Sequence, residues 1–399
     1  MRYLQDFNFT NKRVLVRVDF NVPIEDGKVV DDFRIKASLP TINYLLERNA
    51  KIILISHLGR PAGKEKKYTL CPVANHLSQL LNQPVLFIGD CAGREVKEKT
   101  EKLKAGEIAL LENLRFYEEE KNNDENFAKE LSSFADVYVN DAFSVSHREH
   151  SSIVGIPLYL SSFLGLLFQK EIKVLSKISE NPSRPFLVII GGIKIKTKIK
   201  VIKKFLKKAD NLILGGALAN TVLYAKGIAV GVSEIEEDVV DEIRAISITD
   251  TKLHLPYDAV VARNSDCAGE ISPIGKIPQD KMILDIGPDS VDLFSSVISD
   301  AKTIVWNGPM GFFEKKEFSE GTKGVAKGIA ESDSFSVVGG GETVTFIRKL
   351  GLADKFSHIC SGGGAMLQFL TEGTLPGIEA IKENSALLRP KSEKGLLSD

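Results

Sequence analysis

The first half of the chain alternates short apolar runs with longer stretches in which apolar residues recur at helical spacing. The apolar runs predict buried strands at residues 13–20, 51–56, 85–88, 107–111 and 137–140. The stretches between them predict helices at residues 35–48, 72–81 and 125–134. Because strands joined through helices pair in parallel, this half of the chain is predicted to form βαβ units around a mainly parallel sheet.

A second series of apolar runs begins at residue 186. It predicts strands at residues 186–190, 211–214, 258–262, 282–286, 303–307, 335–338 and 358–360. Between the two series, residues 157–178 predict a long amphipathic helix or a pair of helices, and Pro182 and Pro185 then interrupt the pattern. The chain is therefore predicted to be an α/β protein of two domains.

Two polar segments stand outside this alternation. The acidic run at residues 117–125 predicts a solvated loop. The chain turns polar after residue 381, and residues 391–399 predict a disordered tail.

The stretch from Val337 to Phe346 reads VVGGGETVTF and predicts a strand, a glycine turn and the first turn of a helix. The free N–H groups and dipole of such a helix start favour an anion, most often a phosphate. Glu342 directly follows the glycines, and its carboxylate would repel a bare phosphate unless Mg²⁺ lies between them. The alternative is a plain strand-to-helix turn with a helix-capping Glu342, since glycine turns are common in α/β folds.

The same order of strand and glycine recurs at residues 188–192, 212–216, 304–309 and 359–364. Several such turns at the carboxyl edge of one parallel sheet predict an anion site of nucleotide size. Lys194 and Lys198 are predicted to lie in the first helical turn after the glycines at 191–192. The helix dipole disfavours lysine at that position unless a polyphosphate is bound there. The other lysines up to residue 208 predict the solvated face of a helix. Nucleic-acid or membrane binding is the alternative, and no aromatic residues alternate with these lysines to favour it.

The first half of the chain repeatedly places arginine after a predicted strand or in the turn that opens the next helix. These arginines are Arg34, Arg60, Arg115 and Arg148. Because such turns share one edge of a parallel sheet, the four guanidinium groups are predicted to converge, with His57 and Asn21 as further donors. Guanidinium groups suit phosphate and carboxylate ligands. The alternative is four unrelated surface arginines.

Composition narrows the class of protein. The 399 residues include 52 basic and 53 acidic side chains, so nothing in the net charge points to nucleic acid or a membrane. No apolar run approaches the ~18 residues of a membrane helix, and the N-terminus lacks the apolar core of a signal peptide. Four scattered cysteines predict a reduced, cytoplasmic protein without structural zinc.

The arginines of the first half suit a small phosphorylated acid, and the glycine turns of the second half suit a nucleotide. Together they predict phosphoryl transfer.

Motifs along nearly the whole chain, from residue 13 to residue 381, resemble those of the phosphoglycerate kinase family. In the first half these are RVLVRVDFNVP, DDFRIKASLPTI, SHLGRP, LENLRF and YVNDAFSVSHREHSS. In the second half they are GGIKIKTKI, ILGGALANTVL, DIGPDSV, VWNGPMGFFE, VVGGGETV and HICSGGGAMLQFLTEGTLPGIEAI. Any one glycine turn would be unspecific, whereas the set in this order is highly specific.

The resemblance implies reversible phosphoryl transfer from 1,3-bisphosphoglycerate to Mg-ADP, which gives 3-phosphoglycerate and Mg-ATP. It implies a monomer of two Rossmann-like domains, each a mainly parallel sheet flanked by helices, that face each other across a cleft. Residues 1–170 would form the glycerate-binding domain, 171–185 an interdomain helix or hinge, and 186–373 the nucleotide-binding domain. Residues 374–399 would return to the first domain.

The resemblance also implies roles for matching residues. The glycerate ligand would be bound by Asp19, Phe20, Asn21, Arg34, His57, Leu58, Gly59, Arg60, Arg115 and Arg148. Arg34 and Lys194 would be catalytic and would stabilise the transferring phosphoryl group. The nucleotide would be bound by Lys198, Gly215, Gly216, Asn307, Pro309, Glu314, Gly340, Gly341, Glu342, Thr343 and Gly363. Glu314 would contact the ribose, and Glu342 would be the ligand of Mg²⁺.

The chain departs from the family pattern at a few positions. Glu342 stands where the family usually has aspartate, Ile193 where it has alanine, and residues 144–146 read Ser-Val-Ser instead of Gly-Thr-Ala. None of these changes removes a basic residue that the chemistry needs, so activity is expected.

Two rival functions are weighed against phosphoryl transfer. A nicotinamide-dependent dehydrogenase would need a GxGxxG turn early in a βαβ unit and an acidic residue about 20 positions later, and this pattern is absent. The other rival is a non-catalytic family member that acts as a binding or surface protein.

Overall fold

The structure, a computed structural model, describes residues 2–246 and 251–387. The prediction of a disordered tail at residues 391–399 lies outside the described residues. Contacts divide the chain into two compact units. The first unit takes the residues up to Lys173 together with those from Thr374 onward, and the second unit runs from Val174 to Gly373.

The first unit is built on a six-stranded parallel sheet flanked by helices. Its strands are β1 (Arg13–Arg17), β4 (Lys51–Ile55), β5 (Val85–Ile88), β6 (Ile108–Leu111), β7 (Val137–Asn140) and β8 (Ser162–Leu164), and β2 (Ile24–Glu25) with β3 (Lys28–Val29) forms a separate hairpin. The sheet order is β5-β6-β4-β1-β7-β8. The helices are α1 (Phe33–Leu46), α2 (Cys71–Leu81), α3 (Arg94–Glu101), α4 (Glu118–Lys121) and α5 (Glu125–Ser132). Helix α6 (Leu166–Glu180) begins in the first unit and continues past Lys173 into the second.

Both faces of this sheet are buried, which explains why its strands read as continuous apolar runs. Along β1, Val14 and Val16 belong to one hydrophobic core, whereas Leu15 belongs to the core on the opposite face. Successive strand residues point to opposite faces, so a run that is apolar throughout fits a sheet covered by helices on both sides.

The second unit repeats this plan and adds a smaller sheet. Its parallel sheet has the order β11-β10-β9-β15-β16-β17, with β9 (Phe186–Ile190), β10 (Asn211–Leu214), β11 (Leu253–His254), β15 (Thr303–Asn307), β16 (Phe335–Gly339) and β17 (His358–Cys360). A three-stranded antiparallel sheet contains β12 (Asp258–Ala262), β13 (Glu270–Pro273) and β14 (Met282–Ile286). The helices are α7 (Ile199–Lys208), α8 (Gly216–Ala225), α9 (Val240–Arg244), α10 (Pro288–Asp300), α11 (Glu320–Glu331), α12 (Gly341–Lys349) and α13 (Gly363–Glu372).

The last described helix, α14 (Pro376–Leu387), packs against the first unit. The Asn384 amide donates to the carbonyl oxygens of Pro157 (2.6 Å) and Leu160 (3.0 Å), and its oxygen accepts from the N–H of Ser162 (3.1 Å). The N–H of Gly377 donates to the carbonyl of Ser146 at 3.0 Å. These bonds fix the helix over the end of β8. Within the described residues, every helix is too short or too polar to cross a bilayer.

The predicted α/β class, with parallel sheets flanked by helices, is confirmed. Most predicted strands match within a residue or two, and β5, β7, β9, β10, β12, β14, β15 and β17 have the predicted ends. Strand β1 ends at Arg17 instead of residue 20. Beyond it, the N–H of Phe20 donates to the Ser56 hydroxyl (2.8 Å) instead of to a neighbouring strand.

Two of the seven predicted strands of the second series lie outside its parallel sheet. β12 and β14 form at the predicted residues, but they belong to the antiparallel sheet. Short loops without helices connect β12, β13 and β14. Antiparallel pairing permits such short connections, whereas parallel pairing needs a longer crossover.

The prediction of one or two helices over residues 157–178 is wrong in its first part. Strand β8 occupies Ser162–Leu164 and pairs in parallel with β7 before α6 begins at Leu166. The apolar run SFLGLLF fits a buried strand as well as a helix, and pairing with β7 decides between them.

The prediction that residues 117–125 form a solvated loop is also wrong. They contain α4, and the side chain of Glu120 is fully buried. Glu120 accepts hydrogen bonds from the Ser152 N–H (2.9 Å) and hydroxyl (2.6 Å). Burial raises the pKa of Glu120, and the charge of Arg17 and the Ser152 hydrogen bonds counteract this rise.

Candidate active site

The carboxylate of Asp19, just beyond β1, organises one end of the first unit's sheet. Arg34 Nη1, on the second residue of α1, lies 3.1 Å from Asp19 Oδ2 and donates to the carbonyl of Asn21 at 2.9 Å. The N–H of Asn21 donates to Asp19 Oδ1 (3.1 Å), and the Ser144 hydroxyl donates to Oδ2. Burial raises the pKa of Asp19, but Arg34 and these neighbours outweigh it and lower the pKa to about 2. Asp19 is therefore a permanent anion that holds Arg34 in place.

His57 lies beside this carboxylate and is held by a buried arginine. Arg17, the last residue of β1, has a fully buried guanidinium whose Nη2 lies 3.3 Å from His57 Nδ1. Since arginine can only donate, Nδ1 of His57 accepts and the ring proton is on Nε2. Burial and the positive charges of Arg17, Arg115 and Arg34 hold the pKa of His57 well below its usual value, against the pull of Asp19. His57 is therefore a neutral imidazole with one free N–H donor.

The loop after β4 positions the remaining predicted residues of this end. The N–H of Gly59 donates to Asn21 Oδ1 (2.8 Å), and Arg115 Nη1 donates to the Gly59 carbonyl (2.6 Å). The N–H of Leu58 donates to the Asn113 side chain at 3.1 Å. The structure thus brings Asp19, Phe20, Asn21, Arg34, His57, Leu58, Gly59 and Arg115 together through direct contacts.

Arg60 and Arg148 are exposed, and their charges act on the same region. Burial, and then the charges of Arg17 and Arg148, lower the pKa of Arg115 to about 10. Burial and the charge of Arg60 lower the pKa of Arg148. This crowding of like charges costs free energy in the free protein, and a phosphate or carboxylate ligand would relieve it.

Sequence reasoning missed two histidines at this end. His147 and His150 follow β7, and burial and nearby arginines lower their pKa values to about 4 and about 3. His147 Nδ1, His150 Nδ1 and Arg115 Nε are buried, and none of them has a hydrogen-bond partner among the described residues. Buried polar atoms are rarely left without a partner. These three atoms therefore mark a place where a polar ligand would bind.

The Ser144→Ala variant tests how firmly Asp19 is held. We expect it to destabilise the protein by about 2 kcal/mol near neutral pH, because the Ser144 hydroxyl is buried and donates to a carboxylate. The folded pKa of Asp19 lies below its unfolded value, so Asp19 stabilises the fold above the unfolded pKa. That contribution disappears as the pH falls through the folded pKa. Without the Ser144 hydroxyl the folded pKa of Asp19 should be higher, so the variant should lose this stabilisation at a higher pH than the native protein. Urea unfolding at several pH values measures both effects. The exposed Ser133→Ala variant is the control, and equal midpoints for all three proteins would contradict the prediction.

In the second unit, the glycine turns pack against one another at the carboxyl edge of the sheet. The N–H of Gly191 donates to the Asn307 carbonyl (2.8 Å), and the N–H of Gly216 donates to the Met310 carbonyl (2.8 Å). Gly216 has a φ of 68°, and a Cβ there would come within 2.7 Å of the Gly192 nitrogen. Only glycine permits this close backbone packing.

The turn after β16 and the turn after β17 meet at Asn307. The Asn307 amide donates to the Gly339 carbonyl at 2.7 Å, and the Thr343 hydroxyl accepts from the N–H of Gly308 at 3.1 Å. Gly340 has a φ of 116°, and a Cβ on Gly363 would lie 2.3 Å from Asn307 Nδ2. The starts of α12 and α13 are thereby brought next to each other, with Gly341 and Glu342 exposed in the first turn of α12.

A cavity of about 350 Å³ lies beside these turns, entirely within the second unit. Predicted nucleotide residues in its wall include Gly216, Pro309, Glu314 and Glu342. The rest of the wall is mostly apolar, and the sequence prediction missed it: Leu223, Ile274, Met282, Ile283, Leu284, Met310, Phe312 and Phe313. Several of these residues come from β14 and its antiparallel sheet, whose packing the alternation of strands and helices did not indicate. A small apolar cavity with a few polar groups is the usual form of a ligand site.

Lys198 and Lys194 take different positions after the first of these turns. Lys198 caps α7, and its Nζ is mostly buried and donates to the Gly191 carbonyl at 2.5 Å. Burial lowers the pKa of Lys198 to about 8, with a small opposing effect of Glu342. Lys194 and Ile193 are exposed, and Ile193 lines the cavity. The predicted first helical turn at Lys194 is wrong, since α7 begins only at Ile199.

Comparison with known proteins decides the family. The sequence pattern of the phosphoglycerate kinase family matches residues 4–373. The chain belongs to the phosphoglycerate kinase family. A phosphoglycerate kinase of Moorella thermoacetica is 48% identical over 95% of this chain and 98% of the relative. A phosphoglycerate kinase of Borreliella afzelii is 46% identical over 96% of this chain and the whole relative.

Solved structures of this family have the same fold. The crystal structure of a phosphoglycerate kinase from Pyrococcus horikoshii matches with a TM-score of 0.87 and 36% identity over 97% of this chain and 100% of that chain. The structure of a phosphoglycerate kinase from Coxiella burnetii matches with a TM-score of 0.80 and 36% identity, over 96% of this chain and 98% of that chain. The predicted family and the two-domain α/β fold are confirmed, and the chain is a phosphotransferase of this family. The dehydrogenase alternative is wrong, and no finding supports the non-catalytic alternative.

Proposed function

We propose that this protein catalyses reversible phosphoryl transfer from 1,3-bisphosphoglycerate to Mg-ADP, giving 3-phosphoglycerate and Mg-ATP. The observation that carries this proposal is the family match over residues 4–373. Two features fit the reaction. The first unit has a cationic site with buried nitrogen atoms that have no hydrogen bond within the described residues, and the second has a glycine-lined cavity of nucleotide size.

The glycerate ligand is assigned to the cationic site of the first unit. Its binding residues are Asp19, Phe20, Asn21, Arg34, His57, Leu58, Gly59, Arg60, Arg115 and Arg148, to which we add His147 and His150. Arg115 and the neutral His57 can donate to a phosphate or carboxylate from fixed positions. Asp19 serves this site by orienting Arg34, since an anion in direct contact with an anionic ligand would repel it.

The nucleotide is assigned to the cavity of the second unit. Its binding residues are Lys198, Gly215, Gly216, Asn307, Pro309, Glu314, Gly340, Gly341, Glu342, Thr343 and Gly363. The apolar wall suits a base, Glu314 suits ribose hydroxyls, and the helix starts after Gly340 and Gly362 suit phosphates.

The transfer itself needs positive charge more than an acid or a base, because a metaphosphate-like phosphoryl group is stabilised by cations and in-line positioning. We assign this role to Arg34 and Lys194. Arg34 is partly open to solvent and fixed by Asp19, so its charge is positioned before a ligand binds. Lys194 is exposed on the loop before α7 and can move towards a phosphoryl group.

Mg²⁺ is proposed to enter with the nucleotide. Among the described residues, no group of three acidic, histidine or cysteine side chains surrounds Glu342. A single exposed carboxylate beside a helix start fits a Mg²⁺ ion that obtains its other ligands from phosphates and water. Such an ion neutralises phosphate charge, and Glu342 would orient it.

The Glu342→Ala variant tests this assignment. We expect the Mg²⁺ concentration at half-maximal turnover to rise roughly tenfold, as expected for loss of one charge-assisted contact. Glu342→Asp should stay close to the native value. Glu314→Ala changes another acidic residue of the same cavity and should raise the nucleotide KM without moving the Mg²⁺ titration. A native Mg²⁺ titration for Glu342→Ala would remove Glu342 from the metal site.

We further propose that the glycerate-binding domain comprises residues 1–170 with 374–399, the hinge residues 171–185, and the nucleotide-binding domain residues 186–373. Cleft closure about this hinge would exclude water from the transfer. A cytoplasmic location is proposed, and four free cysteines support it. A monomer is proposed from the family resemblance. Small-angle scattering with and without both ligands, together with sedimentation, tests closure and the monomer.

A coupled assay tests the reaction directly. 3-Phosphoglycerate and Mg-ATP are supplied, and a dehydrogenase consumes the 1,3-bisphosphoglycerate that forms. Turnover on the order of 10–10³ s⁻¹ would support the proposal. Absence of turnover with both ligands bound would instead support the non-catalytic alternative, and Glu342, Ile193 and residues 144–146 would then be the positions to revert.

A further inference from the structure

One carboxylate in the cavity wall of the second unit has no part in the proposed reaction. Asp285 lies on β14, lines the cavity and is almost completely buried. Its Oδ2 accepts a hydrogen bond from the N–H of Gly321 at the start of α11 (2.8 Å). Its Oδ1 accepts from the N–H of Ile286 at 2.9 Å. Asp285 thus connects β14 with α11.

The same carboxylate packs directly against a loop of the cavity. A Cβ on Gly311 would lie 2.1 Å from Asp285 Oδ1, and a Cβ on Gly321 would lie 2.3 Å from the same atom. Both positions must therefore be glycine for the carboxylate to fit. Gly311 belongs to the loop after β15, residues 308–314, which carries Phe312, Phe313 and Glu314 into the cavity wall.

Backbone hydrogen bonds fix this loop on both sides of Gly311. The N–H of Met310 donates to the Thr322 hydroxyl at 3.0 Å, and the N–H of Phe312 donates to the Leu284 carbonyl at 2.7 Å. Since Thr322 and Leu284 are the chain neighbours of Gly321 and Asp285, the Asp285–Gly321 bond lies at the centre of the attachment. A change at Asp285 would therefore move the aromatic and ribose side of the cavity.

The surroundings of Asp285 favour its neutral form. Burial raises the pKa of Asp285 to about 7, with a contribution from Glu320, and the N–H groups of Gly321 and Ile286 oppose this rise. Glu320 is paired with Lys323 at 3.0 Å. The other ionisable side chains around the same cavity are Glu234, Glu314 and Glu342. All three are acidic, so none of them favours a second negative charge.

Because Asp285 lines the cavity, a ligand that fills the cavity would shield its carboxylate further from solvent. Loss of water disfavours a charged carboxylate further. The neutral form would then bind the ligand more tightly than the charged form, and binding would draw a proton from solvent. The proton would return to solvent when the ligand leaves.

We propose that Asp285 is a positioning residue that holds the 308–314 loop against the cavity and takes up a proton when a nucleotide binds. This inference rests on the proposed function, because it requires a nucleotide in this cavity. It adds a second pH-dependent element to nucleotide affinity, separate from the titration of Lys198.

Calorimetry with Mg-ADP tests the proposal. Binding to the native protein and to Asp285→Asn is measured between about pH 6 and about pH 8, in two buffers that differ in ionisation enthalpy. We expect proton uptake by the native protein and a clearly smaller uptake by the variant. The affinity for Mg-ADP should also fall as the pH rises, and over this pH range its decrease should be roughly threefold larger in the native protein than in the variant. Lys198 titrates in both proteins, so the difference between them belongs to Asp285.

The chain offers a matched control at Asp258 on the neighbouring strand β12. Asp258 is buried, accepts from the N–H of Ser290 (2.8 Å) at the start of α10, and packs against Gly287. It holds a helix start as Asp285 does, but it does not line the cavity. Asp258→Asn should lower the melting temperature and leave proton uptake on Mg-ADP binding at the native value.

Native proton uptake in Asp285→Asn would overturn the proposal. If Asp285→Asn does not fold, the Lys198→Ala protein decides. Uptake that persists without Lys198 supports Asp285 as the acceptor, and its complete loss overturns that role. Absence of Mg-ADP binding to the native protein would overturn both this inference and the nucleotide site. Turnover in the coupled assay, combined with Mg-ADP binding that takes up no proton, would leave the proposed reaction standing and refute only the role of Asp285.

Discussion

Replacing Arg34 with alanine is expected to lower turnover about 10³-fold, the range seen when an arginine that stabilises phosphoryl transfer is lost. Arg34 Nη1 is held between Asp19 and the Asn21 carbonyl, so its charge does not have to be organised during the reaction. Glycerate affinity should fall less than turnover, because Arg115 and His57 keep their own contacts. Nucleotide affinity should hardly change, since the nucleotide cavity belongs to the second unit.

The comparison needs a lysine control and a surface control. Arg34→Lys keeps the charge but loses the planar fork, so we expect intermediate turnover. Lys36→Ala removes an exposed cation from the same helix, where Lys36 pairs with Asp32 at the surface, and should retain native turnover. The coupled assay gives kcat and KM, and calorimetry gives both ligand affinities. Native turnover of Arg34→Ala would remove Arg34 from the transfer step.

The sequence predicted the parallel sheets well because burial leaves a direct trace in the pattern. A strand covered on both faces is apolar at every position, as at Phe186–Ile190 and Ile108–Leu111. The pattern failed where length or pairing decides. Ser162–Leu164 is too short to be distinguished from the helix that follows it. The apolar run of β12 does not show whether the strand pairs in parallel or antiparallel.

The sequence predicted those site residues that lie in the turns between strands and helices. Arg115 follows a strand and Arg34 lies at the start of a helix, and both could be found from that placement. Arg17 could not be interpreted in the same way, because it occupies a position inside β1 where a charge suggests the solvent side. A charged residue within a strand whose neighbours are all buried is nevertheless a signal. The run RVLVRVDF contains that signal at Arg17.

The apolar wall of the nucleotide cavity shows the limit of local patterns. Leu284 and Phe312 are far apart in the sequence. They meet through a hydrogen bond from the N–H of Phe312 to the Leu284 carbonyl. In the sequence, each of these residues alone resembles an ordinary core residue.

One departure from the family pattern contributes to the cationic site. Ser144, which stands where the family usually has glycine, donates to the Asp19 carboxylate of this site.

Replacing Lys198 with alanine is expected to weaken Mg-nucleotide binding about 10²-fold and to leave glycerate binding unchanged. Its ammonium is mostly buried beside Gly191, among the turns that meet at Asn307. In such surroundings a charge-assisted bond to phosphate is strong. Because the folded pKa of Lys198 is about 8, the native protein should lose nucleotide affinity as the pH rises above that value. The variant should lack this part of the pH dependence.

Stability should move in the opposite direction to affinity. A lysine whose folded pKa lies below its unfolded value destabilises the fold while it is charged, and this cost disappears as the pH rises towards the unfolded pKa. Lys198→Ala removes the cost, so the variant should melt at a higher temperature than the native protein near neutral pH. The exposed Lys200→Ala should change neither property. Weaker binding in a more stable protein cannot result from unfolding, so this outcome would separate a phosphate ligand from a structural lysine. A larger loss of glycerate binding than of nucleotide binding would contradict the assignment.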